Sequence, residues 1–118
     1  MLLIAAWIVL VLVHTPPALA AFSRHLRKRL YGVSEDATLD VILTHRGVLF
    51  LAVAVACAYA ALDADARRLA TIIAAISMLG FFAAYAAAGL PKGQLRTIAL
   101  TDLIATPALV LVSWDAWF

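Results

Sequence analysis

Four long runs of apolar residues, each close to the length needed to cross a lipid bilayer, dominate this sequence of 118 residues. A bilayer core of about 30 Å requires about 20 residues of α-helix, because each residue advances the helix by about 1.5 Å. The runs predict helices over residues 2–22, 35–62, 67–90 and 94–117. Charged residues concentrate at the ends of these runs and in the short segments between them. We therefore expect an all-α integral membrane protein with a single four-helix domain.

Composition supports the same class of protein. Hydrophobic residues make up 66% of the chain and charged residues 14%, whereas a soluble domain is roughly half apolar and about a quarter charged. A soluble chain of this size could not bury so much apolar surface. The net charge is only +2, so we expect the lipid bilayer as a partner and no nucleic acid. The single cysteine, Cys57, cannot build a disulfide or a cysteine-based metal site alone, and we predict no metal.

The first apolar run contains two features that could alter its helix. The segment 18–21, Ala-Leu-Ala-Ala, resembles a signal-peptide cleavage site, but no basic residues precede the apolar run, so we treat it as a retained span. Pro16 and Pro17 cannot donate hydrogen bonds to the carbonyls of Leu12 and Val13. The sequence therefore predicts that the last part of this helix is kinked or unwound.

The distribution of Lys and Arg predicts the orientation in the membrane. The first and third loops lie at one end of the predicted bundle and contain six basic residues: Arg24, Arg27, Lys28, Arg29, Lys92 and Arg96. The second loop, at the other end, contains two: Arg67 and Arg68. By the positive-inside rule, the first end is cytoplasmic and both termini are outside. Trp7, Trp114 and Trp117 then fall near the outer boundary, where amphipathic rings are enriched.

The segment after the first run has the pattern of a short interfacial helix. Phe22, Leu26 and Leu30 are four residues apart and alternate with basic residues. The interfacial basic patch consists of Arg24, Arg27, Lys28 and Arg29. Each could attract anionic lipid headgroups by about 1 kcal/mol, or the patch could simply set the topology. After it, Ser34 is predicted to cap the second span.

Polar side chains within the four spans collect at one depth. Counting along the predicted helices at about 1.5 Å per residue places them roughly 6 to 12 Å below the cytoplasmic boundary. These residues are His14, His45, Arg46, Tyr85 and Asp102. An isolated Arg at this depth costs roughly 1–3 kcal/mol unless it finds a counter-charge. We therefore predict an ion pair between Arg46 and Asp102, which could line a cavity or only fix the helix register.

Helical periodicity indicates which of these side chains face the interior. Asp102, Thr106 and Ser113 fall within about 40° of one another on the fourth span. His45 shares a face with small residues of the second span, so His45 and Asp102 are expected to point into the bundle. Arg46, turned by about 100°, could lie at the edge of the bundle and extend toward the interface.

Small residues form two faces that would allow close helix packing. The face on the second span is Ala52, Ala56 and Ala60, and the face on the third span is Ser77, Gly80, Ala84 and Ala88. Such faces favour contact within the bundle and could also join copies of the chain into a homo-oligomer.

The two intramembrane histidines allow several chemistries. His14 and His45, on different helices at similar depth, could ligate haem. His45 near a carboxylate could carry a proton or act as a general base, or it could be hydrogen-bonded in the interior. His14, just before the two prolines, could bond to the local backbone. The sequence does not choose among these, and no catalytic residue is predicted.

Three short motifs carry a resemblance to a known family. Leu30-Tyr31-Gly32, the segment 45–50 and Leu95-Arg96 followed by Asp102 resemble small bacterial four-helix membrane proteins of the DoxX-like kind. The similarity covers most of the chain. It implies a four-helix bundle in the bacterial inner (plasma) membrane and, in some relatives, quinone or thiol redox chemistry. An uncharacterised similar group includes members labelled phosphopantetheine adenylyltransferase, but the His-x-Gly-His element of that enzyme is missing here.

Three functions fit these observations, and the sequence leaves open whether the protein is an enzyme. The first is binding of a lipophilic or amphiphilic molecule in a polar pocket at the cytoplasmic leaflet. The residues expected to line this pocket are His45, Arg46, Asp102, His14, Tyr85 and Thr106. The second is a proton-coupled transporter of the small multidrug-resistance type, although such transporters carry a Glu in their first helix, where this chain has His14. The third is a structural or assembly subunit of a membrane complex.

Overall fold

The computed structural model describes residues 1–32 and 36–118, and its regular structure is helical. The α-helices are α1 (Leu2–Ala20), α2 (Arg24–Tyr31), α3 (Ala37–Leu62), α4 (Arg67–Ala87) and α5 (Gln94–Trp117). A 3₁₀ turn, Ala64–Ala66, leads into α4. Four of these helices, α1, α3, α4 and α5, are long and apolar enough to cross a membrane. The prediction of an all-α fold with four spans is therefore confirmed.

Helix ends depart from the predicted bounds by two or three residues at three places, and capping explains two of them. Asp36 caps α3, because its carboxylate accepts hydrogen bonds from the backbone N–H groups of Thr38 at 2.9 Å and Leu39 at 3.4 Å. The predicted cap, Ser34, lies outside the described residues. At the end of α4, Gly89 has a φ of 86°, a left-handed conformation that ends the helix three residues earlier than predicted.

The short helix α2 forms where the basic amphipathic pattern predicts it. The hydroxyl of Ser23 accepts a hydrogen bond from the backbone N–H of Leu26 at 3.1 Å and starts the helix. Gly32 ends it with a φ of 63°. Each cap depends only on local residue type, although the sequence analysis named neither of them.

The four spans form a ring in which only neighbouring helices pack extensively. Helix α1 packs against α3 and α5, and α4 packs against the same two helices. Therefore α3 and α5 lie diagonally across the bundle. We call the end where α1 stops and α3 starts, near α2, the basic end, and the end with the two termini the far end. The most extensive contact is between α1 and α3.

The apolar core lies in the half of the bundle toward the far end. Its fully buried members include Trp7, Leu10, Cys57, Met78 and Val112. Trp7 has no exposed surface. The prediction that its ring lies at the outer membrane interface is therefore wrong. Its ring belongs to the same buried cluster as Ala60 of α3 and Ala70 and Ala74 of α4.

Helix α1 continues through both prolines, so the predicted unwinding does not occur. This stretch is held by contact with α3 at Gly47. A Cβ atom placed on Gly47 would lie 2.8 Å from the Pro17 carbonyl oxygen and 2.7 Å from the Ala21 Cβ. Packing at this point therefore offsets the hydrogen bonds that the prolines remove.

We predict that Gly47→Ala destabilises the protein. The added methyl group has no space against the α1 backbone, and such overpacking typically costs about 1–3 kcal/mol. The measurement is the thermal midpoint of helix loss, followed by circular dichroism in detergent.

The matched control is Gly80→Ala, because a Cβ on Gly80 meets no heavy atom within 4 Å. Since Ala favours a helix over Gly by about 1 kcal/mol, this variant should match or exceed the wild-type midpoint. Equal midpoints for both variants would contradict the assigned contact.

Candidate ligand-binding cleft

An open cleft of about 690 Å³ separates α3 from α4. This volume lies within the range of about 300–1,000 Å³ that is usual for small-molecule sites. The polar residues of its wall are His45, Arg46 and Ser77. The remaining wall residues are Ile42, Leu49, Phe50, Ala52, Val53, Ile73, Ile76, Gly80, Phe81 and Ala84. The cleft therefore combines a mostly apolar wall with a few polar groups.

Small residues create the space of the cleft. Gly80 and Ala84 on α4 and Ala52 on α3 are exposed and line it. The sequence predicted that these faces pack closely against other helices, and for these residues that prediction is wrong. Close packing of α3 occurs instead through Gly47 on its opposite side.

The guanidinium of Arg46 is enclosed by three aromatic rings. Its central carbon lies 4.8 Å from the ring centroid of Phe50, 5.5 Å from that of Phe81 and 5.9 Å from that of Tyr31. Each such cation–π contact contributes about 0.5–2 kcal/mol, depending on how far it is desolvated. In the part of the chain that the structure describes, no hydrogen bond or ion pair engages this guanidinium, and its Nε atom is buried. Among the described residues, these donors therefore have no partner.

The predicted ion pair between Arg46 and Asp102 is not formed. Ion pairs among residues 1–32 and 36–118 are those of Arg24 and Arg27 with Asp40 and of Arg67 with Asp115. Asp102 is buried on α5, diagonally across from α3, and Arg46 attracts its carboxylate only at longer range.

His45 lines the cleft but is exposed, so the prediction that it points into the bundle is wrong. The buried face of α3 contains Leu43, Gly47 and Ala54. His45 lies about 160° around the helix from Gly47. Arg46 is half-buried. The sequence had predicted the opposite, with His45 inside the bundle and Arg46 at its edge.

Two other predicted pocket residues make local contacts away from the cleft. The hydroxyl of Thr106 donates to the backbone oxygen of Asp102 at 3.0 Å, and the Tyr85 hydroxyl donates to the backbone oxygen of Pro91 at 2.7 Å. Neither of them lines the cleft, nor does Asp102. Of the predicted set, the structure brings only His45 and Arg46 into one cavity.

His14 is buried between α1 and α4, with 1% of its surface exposed. Its Nδ1 atom lies 2.7 Å from the carbonyl oxygen of Leu10, which confirms the predicted bond to the local backbone. Its Nε2 atom lies 3.1 Å from the hydroxyl oxygen of Ser77, a contact that the sequence analysis missed. Because both nitrogens are engaged, neither is available in this arrangement for the haem ligation considered with His45.

The predicted basic patch is divided by the fold. Arg24, Lys28 and Arg29 are exposed, whereas Arg27 is turned inward. The Nη1 atom of Arg27 donates to the carbonyl oxygens of Ala20 at 2.9 Å and Ala21 at 3.2 Å.

Arg27 also reaches α3, since its Nε atom lies 3.6 Å from the Asp40 carboxylate. It thus caps the end of α1 and ties it to α3. Arg67 makes a similar link at the far end, where it donates to the carbonyl oxygen of Ala60 at 3.1 Å and to the carboxylate of Asp115 at 3.2 Å.

No protein-family model, curated protein or solved structure matches this chain. The resemblance to DoxX-like proteins therefore stays a prediction. The function of the cleft has to be argued from its own residues.

We predict that Arg27→Met lowers stability by about 1–3 kcal/mol, because buried carbonyls at the end of α1 lose their donor. The matched control is Lys28→Met, which removes the neighbouring charge at an exposed position and should change stability by less than about 0.5 kcal/mol. Thermal denaturation in detergent compares the two variants. If both lowered the midpoint equally, the loss of positive charge rather than the cap would be responsible.

Proposed function

We propose that this membrane protein binds an anionic amphiphile in the cleft between α3 and α4. The acidic headgroup binds Arg46, and the apolar chain follows the wall toward the far end. The observation that carries this proposal is that the Arg46 guanidinium lies in a mostly apolar cleft with no hydrogen-bond or ion-pair partner among the described residues.

The energetic argument starts from the cost of this charge. A guanidinium in an apolar region is costly unless it is paired or reaches water. Cation–π contacts stabilise the charge but satisfy none of its five N–H donors. A carboxylate or phosphate can accept two parallel hydrogen bonds from a guanidinium and neutralise it. An anionic ligand therefore supplies what the described protein groups do not.

The order of side chains along the cleft favours an amphiphile over a compact anion. His45 and Arg46 lie in the part of the cleft nearer the basic end, and Val53 and Ile73 lie deeper. Val53 is seven residues beyond Arg46, which is about 10 Å along α3. A molecule with an acidic head and an apolar tail matches this change from a charged to an apolar surface along the cleft.

We predict that the detergent-solubilised protein binds a pyrene-labelled fatty acid more tightly than the corresponding fatty alcohol. Arg46→Gln should weaken binding of the acid by about ten- to a hundredfold, because it removes charge-assisted hydrogen bonds. Gly80→Leu should reduce binding of both probes, because its side chain fills the cleft. The measurement is fluorescence titration.

The matched control is Ala83→Leu, which makes a similar addition at an exposed position of α4 outside the cleft. It should bind the acid like the wild type. An equal affinity for acid and alcohol, or an unchanged affinity in Arg46→Gln, would overturn the proposal.

We also propose that the basic end faces the cytoplasm of a bacterial cell, so that both termini lie outside. The surplus of Lys and Arg at this end supports that orientation. Among the tryptophans, Trp114 and Trp117 are exposed near the far end and fit an interfacial position there.

For this orientation we predict opposite labelling of two introduced cysteines. Asp65→Cys, at the far end, should react with a membrane-impermeant maleimide in intact spheroplasts. Lys28→Cys, at the basic end, should react only after permeabilisation. The native Cys57 is buried, and the parent protein serves as its control. The reverse pattern would show that the basic end is outside.

A further inference from the structure

The hydrogen bond between His14 and Ser77 joins a buried imidazole to a hydroxyl in the wall of the cleft. Ser77 lines the cleft, and its Oγ atom lies 3.1 Å from Nε2 of His14. Ligand binding at Arg46 does not require this pair.

The partners of His14 determine its tautomer. A backbone carbonyl only accepts hydrogen bonds, so the contact of Nδ1 with the carbonyl oxygen of Leu10 at 2.7 Å assigns the proton to Nδ1. In the neutral ring, Nε2 then carries a lone pair and accepts the hydrogen bond of the Ser77 hydroxyl. A base that is oriented by a third group and bonded to a serine is the arrangement that activates a nucleophile.

Three other hydroxyl groups of the spans are bonded differently. The hydroxyls of Thr15, Thr101 and Thr106 each donate to the carbonyl four residues earlier in their own helix. Ser77 instead shares its hydrogen bond with a base on another helix, and it lines a cavity. The pair therefore combines a base with access for a ligand.

We propose that Ser77 is a nucleophile activated by His14, and that the cleft hydrolyses an acyl ester of the amphiphile that it binds. The identity of the substrate rests on the proposed function, because the anionic group is placed at Arg46. The Arg46 guanidinium lies over Phe81, which is one helical turn, about 6 Å, from Ser77 along α4. An acylated glycerol phosphate has its acidic group and its ester separated by the glycerol carbons, and we assign this class of substrate.

The reaction balances with water as the second reactant. The Ser77 oxygen forms a bond to the acyl carbon while its proton passes to Nε2 of His14. The ester C–O bond then breaks, and the leaving alcohol takes that proton. Water attacks the acyl-serine with His14 again as the base, which releases the fatty acid and restores the serine.

The test is labelling of the full-length protein in detergent with an alkyl fluorophosphonate, followed by mass spectrometry of its peptides. We expect modification at Ser77 that is lost in Ser77→Ala. The matched control Ser113→Ala removes another half-buried hydroxyl of a span and should be labelled like the wild type. His14→Gln, with folding checked by circular dichroism, should be labelled at least about a hundredfold more slowly, as expected for loss of a general base.

Hydrolysis is measured as release of oleate from 1-oleoyl-glycerol 3-phosphate. No modification of Ser77 in the wild type, or wild-type labelling of a folded His14→Gln, overturns the nucleophile. Labelling without oleate release overturns the hydrolysis. A wild-type protein that prefers the fatty acid but is not labelled retains the binding function and loses only this inference. Labelling of Ser77 in a protein that does not prefer the fatty acid retains the nucleophile and overturns the binding function.

Discussion

The close approach of α1 and α3 at Gly47 determines how the rest of the bundle is arranged. With Gly47 against the backbone of Pro17 and Ala21, the face of α3 that contains it is buried. The opposite face, which includes His45, is then directed to the cleft beside α4. The same contact lies against the proline-containing part of α1, which is helical through both prolines. His14, two residues before the first proline, reaches Ser77 on α4. A single glycine thus sets the positions of several polar groups.

The two halves of the bundle differ in what fills them. Apolar side chains fill the far half, where Trp7 and Met78 are fully buried. The cleft between α3 and α4 runs from Ile42 near the basic end to Ile73 beyond the middle of the bundle. Charged links at both ends hold the helices in place, since Arg27 and Arg67 each bind the last carbonyls of one helix and a carboxylate of another. The apolar core and the charged links at both ends stabilise the bundle around the open cleft between α3 and α4.

The location of Arg46 is explained by aromatic contact rather than by charge pairing. Sequence reasoning paired it with Asp102 because both are charged and lie at one depth. Depth alone does not give the position around the bundle, and α3 and α5 are diagonal. The rings of Phe50 and Phe81 hold the guanidinium at the cleft instead. No ion pair among the described residues includes Arg46.

The sequence by itself determined the all-α class, the four spans and their approximate bounds, and the short basic helix α2, because these depend on hydrophobic run length and on local residue types. It also placed the polar residues His45 and Arg46 at a similar depth in the membrane. Only the tertiary structure decided that His14 of α1 reaches Ser77 of α4 across the bundle, that Arg27 is turned inward, and that Gly80 borders open space. Helical periodicity gives the angle between residues of one helix, but the face that is buried depends on which helices are neighbours.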